Sequence, residues 1–497
     1  MPASGLNAHA LAMGAAASEL CDGGGGGGGD TDPLQAALES LTGGDKHAAE
    51  RGTRVLHARL KADGALAPQL VRQGAVQPLQ KTAVDSNAST RARKDALLTL
   101  SRLALCYEGA MLVATPEFVS KTAKMTVNSG GVFARQGTHF ALAVGTCLAA
   151  AAGDRTAAGA LLHYGAGAPA VTLAGSSRRK VCRVGMQLLA RLADNSRAAA
   201  STLAAEYGAR SLAALLIFRL QTFAKAEDVD GQRAVCLALA RIGQDEAFAE
   251  AVAELDGLAP LLVELHREVP VLRAAAGYTL AILGQHKRLR LELVKKRCLQ
   301  AYVAMAEMTS QRQDFADCQR VASLGFINLC STYHLRLAGA KAGVLDAIIL
   351  LLNASAMDVR RGAAQACAQL ALVEENSRRL CFGGALHPLF VMARSGDRIS
   401  EHEAALALNA LCVAPENHKH MVREGVVHVL LYLTSSEDPA ARDVATKMLS
   451  RIRRERLRSA ARMAVRMARV AQGLQLGARG NAEGGAPEPE EDLPPPE

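Results

Sequence analysis

The amino-acid sequence predicts an all-α protein built as a solenoid, a stack of similar helical repeats. The chain has 497 residues, more than the roughly 250 to 300 that a single hydrophobic core accommodates. Apolar residues make up 49% of it but aromatic residues only 3%, which favours helices that pack closely on small side chains. Helical segments with Gly-containing turns also recur at a nearly constant spacing, as they do in repeat proteins.

Residues 1–32 are rich in Ala and Gly and include seven consecutive glycines, Gly23 to Gly29. Glycine loses more backbone entropy on ordering than any other residue, so we expect a flexible leader. The sequence Asp30-Thr-Asp-Pro33 then predicts a helix over 33–41, because a capping side chain precedes a proline at the first helical position. No targeting signal and no apolar stretch long enough to span a membrane is evident.

A turn marker repeats along the helical region, which extends from about residue 46 to 472. Residues 376–390 and 417–431 align with an offset of 41, and both contain a Gly followed by apolar residues. The same turn recurs upstream, with Cys298 replacing the glycine once and a degenerate unit near Phe118. Nine such turns predict about nine repeats: Gly74, Phe118, Gly167, Gly208, Gly257, Cys298, Gly343, Gly384 and Gly425.

A second marker follows the same register, a helix ending of the type Leu-x-variable-Leu-Ala. Its clearest copies lie at 100–104, 189–193, 239–243, 326–330 and 367–371. Since the two markers are independent, their common register favours one regular array.

The Gly-apolar turn, a helix pair and an A-x-x-A-L-x-N-L-A ending, repeated about every 41 residues, resemble the armadillo repeat. The resemblance covers roughly 50–455 and is strongest over 322–452. It implies a right-handed α-solenoid (superhelix) of about nine armadillo-type repeats over 33–455, in which neighbouring repeats bury one continuous core. HEAT repeats share this logic, but the Gly turn, followed in several units by an apolar-Pro step, favours armadillo.

In the armadillo family the third helix of each repeat lines a concave groove. The variable position of its ending, commonly Asn, bonds the backbone of a bound extended peptide. The family's nuclear-import adaptors add a Trp before that Asn, but this chain has no Trp, so import-signal binding is not expected. Carried over by position, the ladder consists of Arg102, Cys147, Arg191, Arg241, Ile282, Asn328, Gln369, Ala410 and Arg451. Its candidate binding residues are Arg102, Arg191, Arg241, Asn328, Gln369 and Arg451.

The four arginines of this ladder indicate a groove for acidic or phosphorylated segments, because a guanidinium matches carboxylate or phosphate with two hydrogen bonds. The alternative is that each arginine pairs with an Asp or Glu of an adjacent repeat. The formal net charge of +9 also favours acidic partners. With so few aromatic residues beside the basic clusters, no specific nucleic acid is expected.

The segment 456–474 continues from the last repeat as a basic amphipathic helix. Its expected role is to cap the stack, with the apolar face inward; the alternative is a contact with a calmodulin-like protein or an anionic membrane. The tail, 475–497, is acidic and Pro-rich and is expected to be disordered. The basic side begins in the last repeat and comprises Arg451, Arg454, Arg458, Arg462, Arg466 and Arg469, opposite Ile452, Met463, Met467, Val470 and Leu474.

Catalytic residues, a cofactor and a metal are not expected. The sequence has no phosphate-cradling Gly-x-x-x-x-Gly-Lys and no Gly-x-Ser-x-Gly elbow, so we do not expect an enzyme. The eleven cysteines are scattered without a Cys-x-x-Cys pair, which favours buried thiols in a reducing compartment. His418, His420 and His428 have no metal-binding pattern around them.

The leading hypothesis is a cytoplasmic scaffold or adaptor, with the nucleus as the alternative location, that binds an extended acidic segment of a partner protein in its groove. One alternative is an armadillo-type chaperone resembling the UCS class of myosin chaperones. Another is an adaptor recruited to membranes by the basic C-terminal helix.

Overall fold

The computed structural model describes five stretches of the chain and also places Met463 and Met467 in helix. It contains no strand within these residues, so the all-α prediction is confirmed. The chain divides into two compact units, Met1–Leu329 and Cys330–Glu497. The described stretches are 33–43, 45–128, 136–194, 196–308 and 313–454.

In the first unit, a helix pair precedes six repeats of three helices each. The pair is α1 Pro33–Thr42, which matches the predicted helix over 33–41, and α2 Lys46–Ala62; a 3-10 turn, Gly64–Leu66, follows it. In each repeat the helices are called first, second and third in chain order. They are α3 Ala67–Arg72, α4 Val76–Val84 and α5 Thr90–Leu103; α6 Tyr107–Val113, α7 Pro116–Asn128 and α8 Gln136–Ala151; α9 Arg155–His163, α10 Gly167–Ala174 and α11 Arg179–Ala193; α12 Arg197–Tyr207, α13 Ala209–Lys225 and α14 Val229–Ile242; α15 Glu246–Glu254, α16 Leu258–Leu265 and α17 Pro270–Leu283; α18 Lys287–Lys295, α19 Cys298–Ala306 and α20 Gln313–Leu329.

The second unit contains three repeats, which brings the described total to nine. A short π-helical segment, Cys381–Ala385, joins the first and second helices of its middle repeat. The helices are α21 Tyr333–Lys341, α22 Val344–Leu352 and α23 Met357–Leu370; α24 Glu374–Leu380, α25 Leu386–Ala393 and α26 Arg398–Leu411; α27 Pro415–Arg423 and α28 Val426–Leu433. The last third helix covers residues 439–454.

The turn between first and second helices usually contains one residue with left-handed backbone. Glycine supplies it at several of the marker positions, with φ of 89° at Gly343 and 92° at Gly425, because only glycine adopts this region without steric cost. At three marker sites the left-handed residue lies one or two positions before the marker, and at Cys298 it is Arg297, with φ 61°. Gly167 and Gly257 are not left-handed; the left-handed residues are Gly165, with φ 86°, and Asp256, with φ 53°.

Third helices of successive repeats pack most extensively against one another. In α11, for example, Val181, Leu188 and Leu192 are buried while Gln187 is exposed, as the helical period requires. Small residues allow close approach between helices: a methyl group at Gly185 would overlap the backbone of Ala174 in the preceding second helix. The low aromatic content therefore follows from the close packing of helices.

Buried asparagines join neighbouring repeats in the second unit. The Asn417 side chain, fully buried, donates through Nδ2 to Leu411 O at 2.8 Å, to Ser377 Oγ at 3.0 Å and to Ser377 O at 3.2 Å. Asn376 makes the equivalent contact one repeat earlier, donating to Arg336 O at 3.2 Å. Buried carbonyls without a donor cost free energy, so these amides hold the first helices in register.

Asn417→Ala is expected to lower the free energy of unfolding by about 2 to 3 kcal/mol, because it leaves buried acceptors without their donor. Chemical denaturation followed by circular dichroism measures the change. The matched control is Asn353→Ala, since this exposed amide bonds only Ile349 O in its own helix; its effect should stay within about 0.5 kcal/mol. Equal effects of the two substitutions would contradict the role given to Asn417.

Candidate functional site

The third helices present parallel rows of side chains on their exposed side. Residues at the fifth, ninth and thirteenth positions are four apart and so share one side of a helix. We call this surface the third-helix face. In the first unit it comprises Lys94, Leu98 and Arg102 of α5; Arg183, Gln187 and Arg191 of α11; Arg233, Leu237 and Arg241 of α14; Ala274, Tyr278 and Ile282 of α17; and, in the same register, Arg320, Leu324 and Asn328 of α20.

The predicted ladder residues fall at the thirteenth position of their third helices, except Cys147 at the twelfth of α8 and Asn328 at the sixteenth of α20. Several of them bond the preceding helix of the stack. Arg102 donates through Nη1 to Leu60 O at 3.2 Å, and Asn328 donates through Nδ2 to Ala281 O at 2.9 Å. Arg191 makes the same kind of bond, from Nη1 to Ala149 O. These acceptors lie in the last turn of a helix, where carbonyls lack intrahelical partners and a positive charge is favourable. Arg191 and Asn328 therefore fasten a third helix to the one before it, and Arg102 fastens α5 to α2 in the same way.

Arg241 is held on both sides by its neighbours. Its Nη1 pairs with the carboxylate of Asp194, the residue that ends α11, and its guanidinium lies 5.3 Å from the centre of the Tyr278 ring in α17. Arg241 therefore pairs with an acidic residue of an adjacent repeat, which was the alternative to ligand binding in the sequence analysis. At Arg102 and Arg191 the acceptors are backbone carbonyls instead.

A second row, at the fifth position, fastens the start of the next third helix. Arg183 Nη2 lies 2.7 Å from Asp228 Oδ1, and Arg361 Nη2 lies 2.6 Å from Asp397 Oδ2. Each aspartate also caps its own helix, accepting from the backbone N–H of Gly231 or Ser400. Sequence reasoning missed this row. Its signal is an Asp directly before a third helix, with a basic residue at the fifth position of the preceding one.

His402 completes this row at the end of the second unit. Its Nδ1 lies 2.8 Å from Asp438 Oδ2, and the same carboxylate accepts from the Ala441 N–H at 2.9 Å. Burial raises the pKa of Asp438, but the contact with His402 and the helix N–H outweigh it and hold the pKa below its ordinary value. The last helix is therefore capped by a charged carboxylate.

Two exposed cations of the third-helix face remain available on α11 and α14. Arg191 is exposed and uses only one of its five N–H groups on Ala149 O. Arg233 is exposed and has no hydrogen-bond or ion-pair partner among the described residues. Arg183 and Arg241 are only 29% and 30% exposed and already face carboxylates. The uncompensated positive charge on this face of the two helices therefore comes from Arg191 and Arg233, of which the ladder predicted only the first.

A small open cavity of about 210 Å³ lies beside Arg191. Gly153, Arg155 and Asp194 also line it. Its volume suits one side chain, and the two arginines on its wall favour an acidic one.

The third-helix face of the second unit carries less free charge. Gln365 donates to Glu403 at 2.7 Å, and Lys447 pairs with Asp443 at 2.6 Å. Gln369 is partly exposed, while Arg451, at the thirteenth position of the last helix, is exposed. Of the apolar ladder positions, Cys147, Ile282 and Ala410 are all buried.

Of the predicted basic amphipathic helix, the structure describes the turn from 451 to 454, in the last third helix, and the separate residues Met463 and Met467. Ile452 is 4% exposed, so its apolar side packs against the stack as expected, and Arg454 is exposed. Met463 and Met467 are 70% and 69% exposed, so the inward-facing prediction is wrong for these two side chains. Arg458, Arg462, Arg466 and Arg469 lie outside the described residues.

Nothing in the described residues assembles three or more His, Cys, Asp or Glu side chains suited to a metal ion. The described cysteines are free thiols, and all but Cys106 are buried. Burial raises the pKa of Cys147 and of Cys367 to about 12, so these thiols stay protonated at neutral pH. Among the described helices, none has the length and apolar composition needed to cross a membrane.

Comparison with known proteins gives likenesses of structure alone, because no family model and no curated protein matches the chain. An engineered protein aligns with a TM-score of 0.65 at 20% identity, over 85% of this chain and 99% of its own. A designed armadillo repeat protein aligns with a TM-score of 0.43 at 18% identity, over 48% and 98%. Another designed armadillo repeat protein, solved in complex with the peptide (KR)4, aligns with a TM-score of 0.43 at 19% identity, over 47% of this chain and 97% of its own. The chain has an armadillo-like helical repeat fold of three-helix repeats, and the first likeness, at 20% identity, is a likeness of fold alone.

The pH dependence of the stability of Asp397→Asn tests the ion pairs of the second row. Hydrogen bonds from Ser400, and then the charge of Arg361, hold the pKa of Asp397 below its ordinary value. A depressed carboxyl pKa stabilises the fold above the unfolded-state value of about 3.9 and ceases to do so as pH falls through the folded-state value. We expect the variant to be about 0.5 to 1 kcal/mol less stable at pH 7, with the difference shrinking below about pH 4.

Urea denaturation at a series of pH values measures this difference. Glu437→Gln is the control, because Glu437 is exposed and makes no hydrogen bond or ion pair among the described residues. A difference between Asp397→Asn and the parent protein that stays constant from pH 7 to the acid limit would rule out a role for the charge.

Proposed function

We propose that this protein is a non-enzymatic scaffold that binds an extended acidic segment of a partner protein on the third-helix face of its first unit. The observation that carries the proposal is the pair of uncompensated arginines, Arg191 and Arg233, on neighbouring third helices. An armadillo-like repeat fold commonly mediates protein binding, which supports a protein as the partner. We assign the activity to the cytoplasm, because scattered, unpaired cysteines favour a reducing compartment.

The chemistry of the face favours carboxylates or phosphates over other groups. A guanidinium presents N–H donors in a planar fork and makes shorter, stronger hydrogen bonds to anions than to neutral acceptors. Arg191 is also prevented from swinging freely, because one of its donors is fixed on Ala149 O. A donor that is already oriented loses less entropy when a ligand binds.

An extended segment matches the spacing of this surface. Packed helices lie about 8 to 10 Å apart, and an extended chain advances about 3.3 Å per residue. About three residues of a partner therefore cross each third helix. Exposed polar positions such as Gln187 offer hydrogen bonds to its backbone.

Arg191→Gln combined with Arg233→Gln is expected to weaken binding of a synthetic poly-glutamate peptide by about tenfold to thirtyfold, because two charge-assisted contacts are lost. Fluorescence anisotropy at constant ionic strength measures the affinity. Replacing Arg233 rather than Arg241 avoids breaking the pair with Asp194 that joins two repeats.

The control for this test is Lys225→Gln with Arg394→Gln, which removes the same charge from exposed positions outside the third-helix face. This control should bind like the parent protein. If both double variants bind equally, only net charge matters and the proposed site is wrong. Crosslinking capture from the native cell, with the same pair of variants, would then name the partner.

A second candidate function is supported by Met463 and Met467, which are helical and exposed. Apolar side chains beside a basic helical face are typical of helices that lie on anionic membranes. The protein would then be recruited to such a surface by its C-terminal helix, with the third-helix face left free for a partner.

Met463→Ser with Met467→Ser is expected to reduce sedimentation with phosphatidylserine vesicles several-fold, and the remaining binding should fall as salt is raised. Truncation after Arg454 should abolish it while keeping Ile452, which packs on the stack. Vesicles of neutral lipid are the control. Vesicle binding that survives the truncation would exclude this second function.

A further inference from the structure

The ninth-position row of the third-helix face is apolar from α14 onward in the first unit, beside the free arginines. Leu237 of α14, Tyr278 of α17 and Leu324 of α20 follow one another in this row, and all three are partly exposed. On α17 the flanking positions are Ala274 and Ile282, 8% and 6% exposed. Exposed apolar area in a binding site is covered by apolar groups of the ligand. This apolar row therefore indicates a ligand that carries an apolar side chain as well as charged ones.

Leu237 lies on the path between the two uncompensated cations. Arg233 precedes it by one helical turn on α14, and Arg191 lies on the adjacent α11 at the opposite end of the face. The fifth and thirteenth positions are separated by about 12 Å along a helix, and the two helices by about 10 Å. The diagonal from Arg233 to Arg191 is therefore roughly 15 Å and passes beside Leu237.

An extended peptide can satisfy all three positions at once. Alternate side chains of a strand point to the same side, and four residues of strand span about 13 Å. Acidic side chains at positions i and i+4 would then reach the two arginines, which are long enough to close the remaining gap. The side chain at i+2 would face Leu237.

We propose that the first unit recognises segments of the form acid-x-apolar-x-acid in an extended conformation. Arg233 and Arg191 bind the two acidic side chains, and Leu237, continued by the Tyr278 ring, contacts the apolar one. Arg241 is a positioning residue here, because its guanidinium lies over the Tyr278 ring and its charge is already paired with Asp194. This specificity rests on the proposed function and adds an apolar requirement to it.

Three synthetic peptides of about nine residues, enough to cross three helices, test the inference. The first has Glu at i and i+4 and Leu at i+2; the second has Ser in place of Leu; the third moves Leu to i+3, on the other side of the strand. We expect the first to bind the full-length protein about fivefold to tenfold more tightly than the other two, as measured by fluorescence anisotropy.

Leu237→Gln should remove this preference while leaving the dependence on Arg191 and Arg233 intact. Its control is Leu98→Gln, the same helical position on α5, which should keep the preference. The comparison of the three peptides on the parent protein stands even if a variant is unstable, and thermal unfolding of each variant checks that point.

The outcomes separate the two proposals. Equal affinity for the three peptides, still lost with Arg191→Gln and Arg233→Gln, would overturn the apolar requirement and leave the acidic-segment scaffold standing. Absence of binding by all three peptides would overturn both. A preference for Leu that persists in Leu237→Gln would show that the apolar contact lies elsewhere and would overturn the assignment to Leu237.

Discussion

The register of the stack depends on third-helix side chains that satisfy unpaired groups at the ends of neighbouring helices, either directly or through a capping aspartate. A helix leaves four N–H groups and four carbonyls without internal partners, and short helices of 14 to 17 residues such as α5 and α20 are dominated by these ends. Arg102 donates to a carbonyl at the end of α2, and Asn328 to one at the end of the preceding third helix, α17, whereas Arg183 supports the aspartate that caps the following third helix. Apolar packing supplies most of the stability, but it is non-directional. The polar contacts at the helix ends fix the register.

These contacts explain how the chain can lack most of the asparagines that the armadillo family commonly has at the ladder positions. Where the ladder residue is polar, as at Arg102, Arg191 and Asn328, it donates to a carbonyl on the preceding helix, and arginine has further donors that this bond does not use. Asn328 donates to Ala281 O in the same way. The choice between arginine and asparagine therefore changes the number of donors that remain for a ligand more than it changes the contact between helices.

The number of repeats and the position of the ladder could be predicted from the sequence, because both depend on local signals. Glycine at 343 or 425 marks a backbone that few other residues adopt, and the helical period fixes which residues share a side. Which arginines remain free could not be predicted in this way. That depends on contacts such as Arg241 with Asp194, which are 47 residues apart and form only when repeats stack. Arg233 was overlooked for the same reason, since only the structure separates a cation without a partner from a paired one.

Some residues of the third-helix face hold neighbouring helices together, while others are free to contact a ligand. This division limits which mutations can change the ligand preference without destabilising the stack. Arg183 cannot be exchanged for a residue suited to another ligand without loosening the cap on α14, because it holds Asp228. Arg233 and Leu237 carry no such obligation among the described residues. Divergence of ligand preference in related chains should therefore concentrate at unengaged positions of this kind, while the residues that hold the helix ends vary little. The fold separates the part of its surface that can evolve from the part that keeps it together.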